Sequence, residues 1–342
     1  MILKNTVNTV IIGAGDIARK RHIPAIMQAP NGTLVGFYNR HYDRTRELAE
    51  QYGGCAYQSY QEIWDDKDVD AVLISSPPES HAEIAIAAMK AGKHVLLEKP
   101  MTLSVKEAEE IADVANRYDR KLMMLHIQRY YDAHQKAKEL LAAGAIGDLL
   151  TIRSVLGNND RSILAGVPKA GWQDALYNVG IHRIDLMRWL VGSEAESVYC
   201  HRSHFLVKQL SEQEERKADD HAVSIIQYEN GVVGTLTASR ISFHGEDRST
   251  TLIGTKGGIV TFSGGHDLVL TKLDGQKEIY DFPSAHAQGV WELTDIHIRF
   301  FDSILQDTEP EITAFDGVAS VRIAAAMEKA DFEKRLVHMC EI

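Results

Sequence analysis

Through the first third of the chain, short apolar runs alternate with segments whose apolar positions recur three or four residues apart. Val7 to Ile12, Thr33 to Tyr38, Ala71 to Ser75, His94 to Glu98 and Lys121 to Leu125 read as strands, apolar on successive positions and rich in β-branched side chains. Strands of this kind, with helical segments between them, predict a doubly wound parallel sheet buried on both faces, an α/β arrangement. Three Ser-x-x-Glu pairs, Ser59 with Glu62, Ser80 with Glu83 and Ser104 with Glu107, predict helix starts, because each side chain can satisfy a free backbone N–H. Pro24 lacks an N–H and crowds the turn before it, so the helix opening at Asp16 is expected to break or restart near His22.

After His126 the pattern changes. One helix is expected from about Tyr130 to Ala143, followed by strands separated by Asn230-Gly231, Gly257-Gly258 and Asp274-Gly275, dipeptides that favour hairpins. Two helical patterns close the chain, Trp291 to Gln306, with apolar Leu293, Ile296, Phe300, Phe301 and Ile304, and Phe315 to Glu333. Residues 1–126 are therefore expected to form the parallel domain, and residues 127–342 an α+β substrate-binding domain with a mainly antiparallel open sheet. One free face on such a sheet predicts a homo-oligomer, dimer or tetramer.

Composition and charge narrow the function classes. A chain of 342 residues with 44% apolar and 25% charged residues is long enough for two domains, each with its own core. The formal charge of -11 opposes polyanions over most of the surface, so neither nucleic acid nor an anionic membrane is expected as a partner. Three cysteines, Cys55, Cys200 and Cys340, are odd in number and far apart, which suits a reducing cytoplasm and predicts no metal site. No stretch has the length and apolarity of a membrane span or the layout of an export signal.

Gly13-Ala14-Gly15-Asp16-Ile17-Ala18 follows the first expected strand and opens a helix, the context in which G-x-G-x-x-A reads as a Rossmann dinucleotide-binding turn. Gly13 permits the turn, Gly15 lets a pyrophosphate approach the backbone, and Ala18 keeps the helix close to the sheet. The second strand ends in Tyr38-Asn39-Arg40 rather than in a ribose-binding carboxylate. Asn39 and Arg40 can donate to a 2′-phosphate that an acid would repel, so NADP is modestly favoured over NAD. Arg40, Arg44 and Arg46 also read as the solvated start of a helix.

Three further blocks accompany that turn: Ser76-Pro77-Pro78-Glu79-Ser80-His81, then Gly92-Lys93-His94-Val95-Leu96-Leu97-Glu98-Lys99-Pro100, and Asn178-Val179-Gly180-Ile181-His182-Arg183-Ile184-Asp185. Together they resemble the glucose-fructose oxidoreductase and inositol dehydrogenase (Gfo/Idh/MocA) family over nearly the whole chain. The resemblance implies that Ser76, Pro77, His81, Glu98 and Lys99 join Gly13, Ala14, Gly15, Asp16, Ile17, Asn39 and Arg40 in holding the dinucleotide. It also implies that Lys99 lies by the reacting oxygen, where an ammonium can stabilise developing negative charge, and that His182 exchanges the proton of the alcohol.

The commonest family pattern has Asp four residues before this histidine, and here Asn178 stands in its place. An amide can orient an imidazole but cannot stabilise an imidazolium by charge; Asn178 also reads as a helix N-cap. Arg129 and Tyr130 are expected to border the substrate cleft, and Trp172 to stack on a sugar face, although an ion pair and a core aromatic serve equally well as readings. The resulting expectation is an NAD(P)-dependent dehydrogenase acting on a CH–OH group of a sugar, inositol or related polyol. A silent sugar or dinucleotide sensor on the same scaffold is one alternative; a hydrolase or lyase working through transient oxidation is another.

Overall fold

The computed structural model of the chain describes residues 5–209, 211, 217–243, 245, 247–261, 267–282 and 291–342. They form two units, residues 1–127 with 285–318, and residues 128–284 with 319–342. In the first unit six parallel strands, β1 (Val7–Ile12), β2 (Gly32–Tyr38), β3 (Cys55–Ala56), β4 (Ala71–Ile74), β5 (His94–Leu97) and β6 (Leu122–Met124), lie in the order 3-2-1-4-5-6. All four residues of β4 are buried, as are five of six in β1, the burial of a sheet covered on both faces. The two-residue strand β3 is too short to leave a periodic signal.

The helix after β1 starts at Asp16, widens into a π-helical turn at Ala18–His22 and regains α geometry at Ile23–Gln28. Pro24 stands in the first turn of that α segment, where it removes one donor to the preceding turn, and the widened turn accommodates its ring. The restart expected near His22 is thus a change of winding and not a gap. Of the three Ser-Glu pairs, Ser59 accepts from the Glu62 N–H at 3.3 Å, whereas Ser80 and Ser104 make no side-chain cap. Ser80 instead donates to the Pro77 carbonyl at 2.8 Å and meets Ser76 Oγ at 2.7 Å.

Helix Trp291–Leu305 covers the first sheet. Asn31, just before β2, donates to Ile298 O at 2.9 Å and to Asp302 Oδ1 at 2.7 Å, and Phe300 and Phe301 are fully buried. At the other edge Met124 N donates to Ile312 O at 3.0 Å. These contacts explain why residues 285–318 group with the first unit, although they lie far along the stretch read from sequence as one continuous second domain.

In the second unit nine strands, β7 (Leu149–Gly157), β8 (Ala195–Ser203), β9 (His221–Tyr228), β10 (Val233–Ser239), β11 (Thr250–Gly254), β12 (Gly257–Thr261), β13 (Asp267–Lys272), β14 (Lys277–Asp281) and β15 (Val337–His338), form one sheet. Their order is 14-13-12-11-7-10-9-8-15, antiparallel except where β7 and β10 run parallel. Asn230-Gly231 turns between β9 and β10 and Asp274-Gly275 between β13 and β14, as expected; Gly257-Gly258 opens β12, after a turn at Thr255 and Lys256. Along β9 buried and exposed residues alternate, the pattern of a sheet with one open face. Tyr199, Val223, Ile225, Val233 and Ile253 are exposed on these strands, with Tyr199 and Ile225 directly paired. Among the described residues no helix is long and apolar enough to cross a membrane.

Candidate active site

In the first unit the strand order reverses between β1 and β4, and the chain leaves both strands on the same side of the sheet. Gly13 follows β1 with φ of +100°, and a Cβ built there would lie 2.6 Å from the Ser75 carbonyl and 2.7 Å from Ser76 N. Glycine is required twice over, by the backbone angle and by the close passage of the two chain segments. A Cβ on Gly15 would meet nothing within 4 Å, so open space stands beside that backbone. The first amide to close the helix runs from Arg19 to Gly15 O at 3.1 Å, which leaves the amides of the first turn available to an anion. This turn, with Ala14, Asp16 and Ile17, fits the pyrophosphate of a dinucleotide.

At the end of β2, Asn39 accepts from the His41 N–H through Oδ1 at 2.9 Å and donates its own N–H to Thr45 Oγ1 at 2.9 Å, holding the turn into helix Tyr42–Tyr52. Arg40 is exposed and forms no ion pair among the described residues, while Arg46 reaches Asp43 and Glu50. The basic cluster thus divides into a helix-surface member, Arg46, and a residue at the strand end, Arg40.

Lys99 follows β5 on the same sheet edge. Its N–H donates to Glu98 Oε2 at 3.0 Å, and Glu98 N continues the strand pairing by donating to Ile74 O at 3.0 Å. His81 is buried with Nδ1 3.0 Å from Pro100 O and Nε2 2.9 Å from Ser76 O. Burial holds its imidazole below the ordinary value, and the ring spans the loops that carry Ser76 and Lys99. Pro77 is exposed beside them.

In the second unit, a π-helical turn at Ala175–Gly180 runs into helix Ile181–Val191. From Asp174 to Arg188 every residue is buried except Asn178 and His182. Four positions apart, those two share one side of the helical turn, and they are the most exposed residues of this stretch. The N-cap is Asp174, which accepts from Tyr177 N at 2.6 Å and from Asn178 N at 3.2 Å, so the capping reading of Asn178 passes to a residue four positions earlier.

Asp174 is held by a polar cluster that the sequence did not reveal. Arg202 on β8 donates to Asp219, to Glu328 Oε1 at 2.9 Å and to Asp174 Oδ2 at 3.4 Å; Asp219 Oδ1 accepts from Ala175 N at 2.7 Å, and the Tyr177 hydroxyl donates to Glu328 Oε2 at 3.0 Å. Burial opposes the charge of Arg202, but the three carboxylates more than offset it and hold the guanidinium above its ordinary value. Beneath the turn, Ala175 and Val179 pack with Leu156 and Ala238 of the sheet. Arg202→Met would leave Asp174 and Asp219 buried without their cation, and is expected to cost about 3–5 kcal/mol at neutral pH. Urea unfolding would measure this, and the loss should shrink as the pH falls into the carboxyl range and the orphaned acids protonate. An unchanged midpoint would show that Arg202 does not hold the turn.

The remaining expected site residues are placed differently. Arg129 is buried and forks onto Asp185, Nε to Oδ2 at 2.8 Å and Nη2 to Oδ1 at 2.6 Å, with its guanidinium 6.0 Å from the Trp189 ring centre. Tyr130 is buried, and Trp172 is half-buried in the turn before Asp174.

Sequence comparisons agree with this arrangement. The profile of an oxidoreductase family with an NAD-binding Rossmann fold matches residues 7–126, and that of the GFO/IDH/MocA C-terminal domain matches residues 134–260. A myo-inositol 2-dehydrogenase of Thermotoga maritima is 26% identical over 338 residues, covering 97% of this chain and 98% of its own. Inositol 2-dehydrogenase 2 of Saccharopolyspora erythraea is 30% identical over 259 residues, 74% of this chain and 73% of its own. Among solved structures, levoglucosan dehydrogenase in complex with NADH and levoglucosan has the same fold, with a TM-score of 0.88 at 23% identity over 98% of this chain and 99% of that one. With both domain profiles matched in order along the chain, and a dinucleotide turn at the switch point of its parallel sheet, the protein belongs to the GFO/IDH/MocA family of nicotinamide-dependent oxidoreductases.

Proposed function

We propose that the protein is a dehydrogenase that moves hydride between a nicotinamide dinucleotide and a CH–OH carbon of a polyol or sugar. The observation that carries this reading is the pair Asn178 and His182, half-buried in an otherwise buried stretch, on a chain whose relatives include inositol dehydrogenases. The dinucleotide falls to residues 1–126 and the polyol to the chain from 127 on, with 285–318 helping to cover the first sheet. When bound, the dinucleotide supplies the hydride acceptor or donor. Lys99 directs its ammonium to the reacting oxygen and stabilises negative charge there. His182 takes the hydroxyl proton in oxidation and returns it in reduction, and Asn178 orients its ring.

Myo-inositol, scyllo-inositol and levoglucosan, each offered with NAD or NADP, test this reading through the absorbance of reduced nicotinamide. Net reduction with any of them supports the dehydrogenase. No turnover, together with a thermal midpoint raised by dinucleotide and again by polyol, would favour a sensor. Turnover of a glycoside without net change in nicotinamide would favour the hydrolase or lyase.

The exposed guanidinium of Arg40, beside an Asn in place of a carboxylate, supports NADP as the preferred cofactor. Arg40→Ala should weaken NADP(H) by roughly 1.5–3 kcal/mol and leave NAD(H) nearly unchanged. Titration by fluorescence measures both, and equal losses would remove the argument. The apolar residues exposed on the open sheet, Tyr199, Ile225 and Val233 among them, support self-association through that face, which sedimentation would measure.

A further inference from the structure

We infer that His22, in the π-helical turn behind the dinucleotide motif, positions Lys99 through the carboxylate of Glu98. The inference rests on the reading of Lys99 as the group that meets the reacting oxygen. His22 is fully buried, with Nε2 3.0 Å from Glu98 Oε1, and Glu98 Oε2 accepts the Lys99 backbone N–H at 3.0 Å. One carboxylate thus receives two donors, one from the helix after β1 and one from the residue that carries the ammonium. Burial pushes the Glu98 carboxyl upward, but the hydrogen bond from His22 and the charges of His22 and Lys99 more than offset this and keep it below the usual carboxylate range. As an ionised group it accepts from both N–H donors, so its orientation sets that of the Lys99 backbone.

The surroundings of His22 leave it a single polar task. His297 lies against it, ring centres 5.4 Å apart, and is pushed down to about 3 by burial, so it presents a neutral ring. His297 Nδ1 is engaged with Leu293 O on its own helix. The Nδ1 of His22 is buried without a hydrogen-bond partner among the described residues. If the position asked only for bulk, an aliphatic side chain would fill it without burying an unsatisfied nitrogen. The histidine is accounted for by the one bond that reaches Glu98. A π turn is the kind of local irregularity found where a helix must present a side chain in a direction that regular winding does not.

The test compares His22→Leu, which removes the donor, with His22→Gln, which keeps an N–H of similar reach. Residue-resolved amide exchange of the full chain, with and without NADH, reads the Lys99 N–H directly and needs no substrate. In His22→Leu that amide is expected to exchange at least about tenfold faster while the β1 amides keep their rates, and His22→Gln should return it to within about threefold of the parent. With a polyol that the protein oxidises, kcat should fall by about tenfold or more in His22→Leu, with KM and dinucleotide affinity within about threefold, and recover in His22→Gln. If His22→Leu does not fold, His22→Phe makes the same test, since it keeps a ring of similar bulk and carries no N–H to Glu98. An unchanged Lys99 exchange rate, an acceleration spread evenly over the unit, or a glutamine variant no better than leucine would each overturn the inference. A panel in which no polyol is oxidised would overturn the functional reading alone, and the exchange rates would still decide whether His22 positions Lys99.

Discussion

Lys99→Met is expected to lower kcat by about 10²–10³, the loss typical when one preorganised donor to a developing oxyanion is removed. Methionine keeps most of the apolar stem and leaves the backbone N–H that Glu98 accepts, so the loop after β5 should survive. Dinucleotide affinity should therefore stay within about threefold, and the whole effect should appear in kcat and in kcat/KM together. Stopped-flow measurement of nicotinamide reduction separates the chemical step from product release. A variant that turns over near the parent rate would place the charge stabilisation on another group.

His182→Ala is expected to lower turnover by about 10²–10⁴, the usual contribution of a positioned acid or base. The neighbouring substitution Asn178→Asp tests the assignment through pH. A carboxylate one helical turn before the imidazole favours the imidazolium, which raises the pH at which the ring loses its proton. Oxidation needs the unprotonated ring, so the acid limb of kcat/KM for oxidation should move to higher pH. Reduction needs the protonated ring, and should persist to higher pH. Asn178→Ala should slow the reaction without that upward movement, and with little loss of stability, because Asp174 and not Asn178 caps the turn. An unmoved pH profile in Asn178→Asp, with near-full activity in His182→Ala, would sink the proton-transfer role.

Much of the site can be read from residues near one another in the chain. Gly13, Gly15 and Ala18 stand in a turn with local demands, namely a positive φ, an open approach and a small helix contact, so their spacing is informative without a fold, although the passage of Ser75 and Ser76 against Gly13 is not local. Lys99 and His182 are candidates through the motif blocks that resemble the family. Arg129 shows the limit of this reading: an arginine after a strand suits either a substrate hydroxyl or an ion pair, and its fork onto Asp185, fifty-six positions away, has no local signature. The same holds for Ser80, whose hydroxyl is drawn to Pro77 O and Ser76 and so does not cap the helix the pattern assigned to it.

The amino-acid sequence by itself determined a parallel sheet with five of its six strands, the mainly antiparallel open sheet that follows and the dinucleotide turn, because periodicity and turn chemistry depend on neighbours a few positions apart, and its resemblance to a family named Lys99 and His182 as candidates. Only the tertiary structure decided that residues 285–318 complete the first unit, that Arg202 gathers Asp174, Asp219 and Glu328 behind the Asn178 turn, and that His22 reaches Glu98. Each of those joins groups that lie from 17 to 271 positions apart. Buried polar atoms must find partners wherever folding brings them, and no local pattern records which distant residue will answer.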